Sequence, residues 1–186
     1  MKQALKELGF TIGDQAAAEL LIHEYARRNW QPIVDYCHSA DAFQDIPFSL
    51  PYTYQILDFA FPGAKFILSM RSNEDEWYQS LVRFTCKRLK LDRKPTKDDC
   101  MNDTYRYKGF SWDSVRIVYN SPAKDPFEES RLKQFYRNHN QAVREYFRFR
   151  DNLLIINLGE QDSYGRFCQF LQVPQIMTNF PWLNKS

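Results

Sequence analysis

The sequence predicts an α/β fold in three layers, with a parallel sheet flanked by helices. Two short apolar runs, residues 65–70 and 153–157, are unbroken in the way typical of strands buried on both faces. Segments with helical spacing of apolar residues stand before, between and after these runs, and such alternation favours a parallel sheet. A third, shorter strand is expected at residues 42–46, where Pro47 ends the run.

Helices are predicted from their caps and from the spacing of their apolar residues. The strongest begins at Asp125, because Pro126 follows at the first helical position and Glu128 adds an acid in the first turn. Its expected inner stripe is Leu132, Phe135, Tyr136, His139, Val143, Tyr146 and Phe147. The predicted helices cover residues 2–8, 14–27, 32–38, 52–59, 125–150 and 161–171, with another from Asn73 onward.

Length and composition favour one folded domain. The chain has 186 residues, and its 16% aromatic content argues against disorder, so we expect a single domain over residues 1–186. Residues 90–129 differ from the rest because they are polar and contain several prolines. They are predicted to form a lid or a substrate-facing insertion, with short helices near Thr96 and Trp112.

Charge and hydropathy limit the function classes. The net charge of +2 is too weak to indicate nucleic-acid binding. No apolar run approaches the roughly 20 residues that span a bilayer, and MKQALKELGF lacks the apolar segment of a signal peptide. A cytoplasmic protein is therefore expected. The four cysteines are far apart, and no spacing indicates a metal site.

Arg71 is the most informative single residue. It stands where a buried strand ends, and Ser72 or Asn73 can then cap a new helix. In open α/β sheets, phosphate-bearing ligands bind at such a junction. The alternative is structural, because Arg71 could pair with Glu74 or Asp75, and these acids would also repel an anion unless they point away.

The stretch FPGAKFILSMRSNEDEWYQSLVRF resembles the sulfotransferase family. In that family an Arg ends the strand, a Ser follows on the next helix, and both bind the 3′-phosphate of 3′-phosphoadenosine 5′-phosphosulfate (PAPS). The resemblance therefore implies that Arg71 and Ser80 are cofactor-binding residues, that PAPS is the co-substrate and that no metal is needed. Ser72 stands where the family often has Asp.

Other segments resemble the same family in the same order: residues 4–10, 35–52, 136–147, 166–174 and 180–184. The match is closest to small sulfotransferase-like proteins of the P-loop nucleotide-binding superfamily. In the family, a first strand and a loop of the type Lys-x-Gly-Thr-Thr-Ser precede the helix that residues 4–10 resemble. That loop holds the 5′-phosphosulfate. We therefore expect a P-loop NTPase-like sulfotransferase architecture that is N-terminally truncated.

Three further features have a functional and a structural interpretation. Asp45 is a candidate catalytic base, because sulfotransferases use a carboxylate or His near the active-site edge of the sheet to deprotonate the acceptor. The alternative is that Asp45 only caps a helix or a turn. His139 is interpreted as a buried, hydrogen-bonded side chain rather than a catalytic one. A basic stretch is usually solvated surface but could attract an acidic acceptor or the nucleotide. Its members are Lys87, Arg88, Lys90, Arg93, Lys94 and Lys97.

Two functions from different classes follow. The first is sulfuryl transfer from PAPS to a hydroxyl or amine of a small-molecule, glycan or lipid acceptor. The aromatic residues of the insertion would help form the acceptor pocket: Tyr105, Tyr107, Phe110 and Trp112. The second is a non-catalytic binding or interaction protein that keeps the fold without the phosphosulfate loop, and a homo-oligomer is possible. A P-loop kinase is a weaker third alternative, because no phosphate loop or magnesium-holding Asp is visible.

Overall fold

A computed structural model describes residues 1–181. Its helices are α1 Lys2–Glu7, α2 Gln15–Leu20, α3 Ile22–Ala26, α4 Gln31–Tyr36, α5 Thr53–Ala60, α6 Glu74–Leu89, α7 Lys97–Asn102, α8 Phe110–Tyr119, α9 Glu129–Tyr146 and α10 Ser163–Leu171. The strands are β1 Phe66–Ser69 and β2 Leu153–Ile156, and a 3₁₀ turn covers Cys37–Ser39. The family-like residues Trp182–Asn184 lie outside the described part. No helix in residues 1–181 is long and apolar enough to cross a bilayer.

The chain forms two compact units. The first unit comprises Met1–Met70 together with the chain from Val143 onward, and the second comprises Arg71–Ala142. Helix α9 contributes residues 129–142 to the second unit and residues 143–146 to the first. The single domain expected over residues 1–186 stays a prediction.

The first unit contains the parallel sheet. Strands β1 and β2 pair in parallel, with Phe66 opposite Leu153 and Ser69 opposite Ile156. Successive side chains of a strand point to opposite faces. Leu154 and Ile156 accordingly pack in one cluster with residues of α1 and α10.

The opposite face of the sheet is covered by other helices. Phe66, Leu68 and Leu153 pack against Tyr54 of α5 and against Phe147, which follows α9. Helices therefore cover both faces of two parallel strands, and the predicted α/β class with a helix-flanked parallel sheet is confirmed. The described residues form two strands of this sheet.

The predicted third strand at residues 42–46 is wrong. Only Ala42 pairs there, through an isolated parallel bridge with Ile12. Asp45 has a φ of 58°, a left-handed backbone conformation that ends an extended segment. Pro47, two residues later, has no N–H to continue a ladder. The segment is a turn, and Asp45 therefore does not lie at a strand end.

Two predicted helices have different bounds in the structure. The segment 14–27 is divided into α2 and α3 at Leu21, whose N–H bonds to the Ala18 carbonyl three residues earlier rather than four. Helix α9 begins at Glu129 instead of near Asp125, because the Asp125 carboxylate accepts from Phe127 N in a local turn and also binds Lys94. Arg150 N likewise bonds to Phe147 O in a tighter turn beyond α9.

The predicted strands at 65–70 and 153–157 and the helices at 52–59 and 161–171 are confirmed within a few residues.

The second unit is built around α6. Trp77, Leu81 and Val82 of this helix pack against a core made by α7, α8, Phe127 and the start of α9. Thr96 and Asp99 form a capping box at the start of α7, which is the short helix predicted near Thr96. Residues 90–129 therefore carry two short helices tied to α6, and their role as a lid or substrate-facing insertion stays a prediction.

A buried carboxylate links several segments of the first unit. Both terminal nitrogens of Arg150 donate to Asp58 at 2.5 Å, and Tyr146 Oη donates to it at 2.8 Å. The Asp58 side chain is only 8% exposed. These hydrogen bonds hold the pKa of the Asp58 carboxyl below its usual range, and those from Arg150 contribute most. The group therefore stabilises the folded state when it is ionised.

Asp58→Asn should lower Tm at pH 7 by about 3–12 °C, because one lost charge-assisted hydrogen bond costs about 1.5–3 kcal/mol and each kcal/mol lowers Tm by about 2–4 °C in a chain of this size. Because the folded pKa is lowered, this stabilisation is present above the ordinary carboxyl pKa of about 4 and is lost as the pH falls through the folded value. The difference from wild type should therefore shrink towards pH 3 in thermal unfolding followed by circular dichroism. Asp151→Asn, at an exposed carboxylate nearby in sequence, is the control. An equal deficit at pH 7 and pH 3 would contradict the assignment.

Candidate functional site

The backbone of Arg71 is held in place by Tyr136. Arg71 N donates to Tyr136 Oη at 3.0 Å, and the same hydroxyl lies 3.4 Å from Arg71 O. Tyr136 is 8% exposed, and its ring stacks on Trp77 with centroids 4.8 Å apart. The inner-stripe pattern predicted that Tyr136 is buried, but its hydrogen-bond partner is remote in sequence and has no local signal. The hydroxyl of Tyr136 therefore fixes the backbone position of Arg71.

The side chain of Arg71 contacts the other predicted phosphate-binding residue. Arg71 Nη2 donates to Ser80 Oγ at 3.2 Å, and Arg71 is exposed while Ser80 is half-buried. Ser80 lies in the second turn of α6. Since its oxygen accepts from Arg71, the hydroxyl hydrogen is free to donate to a ligand. The guanidinium also keeps further N–H groups for a ligand.

The acids next to Arg71 pair with other cations. Glu74 Oε1 accepts from Arg137 Nη1 at 2.6 Å, and Asp75 pairs with Lys133, which also pairs with Glu129. These two carboxylates raise the pKa of the Lys133 ammonium. Within residues 1–181 no carboxylate forms an ion pair with Arg71, so the alternative that Arg71 pairs with Glu74 or Asp75 is wrong.

The start of α6 is already capped by the chain itself. Asn73, one of the two predicted caps, accepts from Glu76 N at 2.8 Å through its side chain, and three acids fill the first turn. The N-terminus of the helix is therefore a poor site for an added anion. The predicted anion-binding groups, the Arg71 guanidinium and the Ser80 hydroxyl, lie instead beside the second turn of the helix.

The basic stretch that follows is largely used within the second unit. Arg88 pairs with Asp103, Arg93 with Asp99 and Lys94 with Asp125, each at 2.6 Å. Lys97 lies over the ring of Trp112. Hydrogen bonds from Arg88 and Ser111 outweigh burial and lower the pKa of the Asp103 carboxyl. These cations stabilise the second unit and are not a broad anion-binding patch.

Asp45, the candidate base, belongs to the first unit. The residue as a whole is exposed, but its carboxyl lies among many protein atoms, and this desolvation raises its pKa. A hydrogen bond from Gln44 Nε2 at 3.0 Å opposes the rise, and the Glu19 carboxylate adds to it. A raised pKa makes a carboxylate a stronger base near neutral pH.

His139 lies half-buried on α9. Its ring stacks on Phe135, with parallel planes and centroids 5.9 Å apart. Burial lowers the pKa of the imidazole, so the ring is neutral at neutral pH. The partial burial of His139 agrees with part of the structural interpretation, and its hydrogen bonding and its role stay predictions.

One surface hollow lies in the first unit. It is lined by Gly63 and by the segment Arg148, Phe149, Arg150, Asp151 and Asn152, which precedes β2. None of Arg71, Ser80 and Asp45 lines it. Residues 1–181 contain no cluster of three or more His, Cys, Asp or Glu side chains that could hold a metal ion.

Tyr136→Phe should destabilise the protein by about 1 kcal/mol, because it removes the hydroxyl from a nearly buried site and leaves Arg71 N without its partner. The ring should still stack on Trp77. Tyr78→Phe is the matched control, since Tyr78 Oη donates to Phe127 O at 3.1 Å in the same unit. Urea unfolding measures both losses. Hydrogen exchange of the Arg71 amide should accelerate in Tyr136→Phe alone, and unchanged protection there would contradict the role of Tyr136.

Comparisons with known proteins agree with the resemblance seen in the sequence. A family model described as a sulfotransferase domain matches residues 1–186. A search of curated proteins gives no match to this chain. The family match gives no support to the alternative of a non-catalytic binding protein. Since the matched region spans the whole sequence, the chain belongs to the sulfotransferase domain family.

Proposed function

We propose that this protein transfers a sulfuryl group from PAPS to a hydroxyl or amine acceptor, and that Arg71 and Ser80 bind the 3′-phosphate of the donor. The observation that carries the proposal is the 3.2 Å contact between Arg71 Nη2 and Ser80 Oγ on an exposed surface. The two residues are nine positions apart and converge at one point. The acceptor is a small molecule, a glycan or a lipid.

The chemistry of this pair suits a phosphate dianion. A guanidinium is permanently charged and offers several N–H donors in a plane, which match phosphate oxygens. The Ser80 hydroxyl adds a neutral donor. Glu74 and Asp75 are neutralised by Arg137 and Lys133, so their charges oppose an incoming anion less than the sequence suggests.

Asp45 is the proposed general base. PAPS supplies an activated sulfuryl group when it is bound. Asp45 takes the proton of the acceptor hydroxyl or amine while the acceptor atom forms a bond to sulfur. The bond between sulfur and the bridging phosphate oxygen breaks, and adenosine 3′,5′-bisphosphate leaves with that electron pair. The raised pKa of Asp45 supports this role.

The acceptor pocket is proposed to include aromatic residues of the segment 90–129. Phe110 is 5% exposed and packs against Tyr105 and Tyr107, so it supports the segment from inside. Tyr105 is 40% exposed, and Arg88 and Arg106 lie over its ring. Of these side chains, Tyr105 is therefore the one best placed to contact an acceptor.

Arg71→Ala should weaken the binding of adenosine 3′,5′-bisphosphate at least tenfold, because it removes the charge that pairs with the 3′-phosphate. Ser80→Ala should weaken it by about threefold, the loss of one neutral hydrogen bond. Isothermal titration calorimetry measures both. Arg148→Ala removes an exposed guanidinium of the first unit and is the matched control. Equal affinities for Arg71→Ala and wild type would exclude Arg71 from the site.

Asp45→Asn should lower sulfuryl transfer about 100-fold or more while it leaves bisphosphate affinity within twofold, because the amide keeps the shape of the side chain but cannot accept the proton. Transfer is measured with radiolabelled PAPS and a panel of alcohol, sugar, lipid and amine acceptors. For wild type, the rate should fall as the pH drops through the raised pKa of Asp45. Full activity of Asp45→Asn on an acceptor that wild type sulfates would remove Asp45 from the mechanism.

A further inference from the structure

We propose that Arg83 is a second guanidinium of the 3′-phosphate site and sets the preference for nucleotides with a phosphate at the 3′ position. The inference rests on the proposed function, because it extends the site formed by Arg71 and Ser80. Arg83 follows Ser80 by three positions on α6 and is exposed. Residues three apart on a helix are neighbours, with Cβ atoms about 5–6 Å apart.

Arg83 differs from the other arginines of the second unit. Each of the others donates a hydrogen bond to a side chain or a carbonyl. Within residues 1–181, Arg83 makes no hydrogen bond and no ion pair. An arginine without a partner is fully available to a ligand, and it lies on the helix face that presents Ser80.

The local charge balance gives Arg83 its role. Glu76 precedes Ser80 by four positions, so the 3.6-residue period of the helix puts Glu76, Ser80 and Arg83 along one exposed stripe. The Glu76 side chain forms no ion pair in the described part of the chain. The charges of Arg71 and Glu76 cancel, and a phosphate dianion gains little attraction from a site with no net charge. The charge of Arg83 makes the net charge of the site positive.

The same stripe explains why the charge must come from the side of the helix. The backbone N–H of Glu76 already donates to the Asn73 side chain, and three carboxylates fill the first turn, so the start of the helix disfavours an added anion. A phosphate that accepts from Ser80 would also meet Arg71, which contacts that hydroxyl, and Arg83 is a neighbour of Ser80 on the same face of α6. Two guanidinium groups beside one hydroxyl suit the dianion.

The test compares adenosine 3′,5′-bisphosphate with adenosine 5′-monophosphate, which lacks the 3′-phosphate, by isothermal titration calorimetry. Arg83→Ala should weaken the bisphosphate three- to tenfold and leave the monophosphate unchanged, because an exposed charge contributes less than a buried one. Arg83→Glu should weaken it further, and Glu76→Gln should tighten it. These residues are exposed, so the variants should keep the wild-type Tm. Lys87→Ala, one turn further along α6, is the matched control and should stay within twofold of wild type.

The outcomes separate this inference from the function on which it rests. If Arg71→Ala weakens bisphosphate binding and Arg83→Ala and Arg83→Glu do not, Arg83 is outside the site and the proposed function stands. If Arg83→Ala weakens both nucleotides equally, Arg83 does not read the 3′-phosphate and the inference is overturned. If wild type binds the bisphosphate no better than the monophosphate, both proposals fail.

Discussion

The contact between the Arg71 guanidinium and the Ser80 hydroxyl defines the candidate phosphate site. It exists because Tyr136 fixes the Arg71 backbone and because α6 begins soon after, so that its second turn brings Ser80 beside the guanidinium. Tyr136 in turn is stacked on Trp77 in the interior of the second unit. The core of that unit therefore sets the position of an exposed, charged group.

Electrostatics around α6 follow a consistent division. The first-turn acids Glu74 and Asp75 interact favourably with the helix dipole and are neutralised by cations of α9. Arg88, Arg93 and Lys94, at the far end of α6 and beyond it, pair with acids of the segment 90–129. In the described part of the chain, the exposed Glu76 and Arg83 of α6 form no ion pair. An unmatched positive group costs little in water and is available to bind an anion.

The sequence predicted the parts that depend on local periodicity and capping. The two strands, the Asn73 cap and the capping box of α7 all follow from residues close in sequence. The strand predicted at 42–46 failed because periodicity does not report the left-handed backbone at Asp45. The family resemblance implied that Arg71 and Ser80 lie close together in space. The hydrogen-bond partners of Glu74, Asp75 and Arg71 N could not be predicted from the sequence. Those partners lie on α9, some 60 residues further along the chain, and only tertiary packing brings them together.

A crystal structure of the protein with adenosine 3′,5′-bisphosphate would test directly whether Arg71 and Ser80 bind the donor. Oxygens of the 3′-phosphate should lie within about 3 Å of Arg71 Nη2 and Ser80 Oγ. A nucleotide bound with its 3′-phosphate at other residues, while Arg71 and Ser80 bond only to each other, would contradict this role of the two residues.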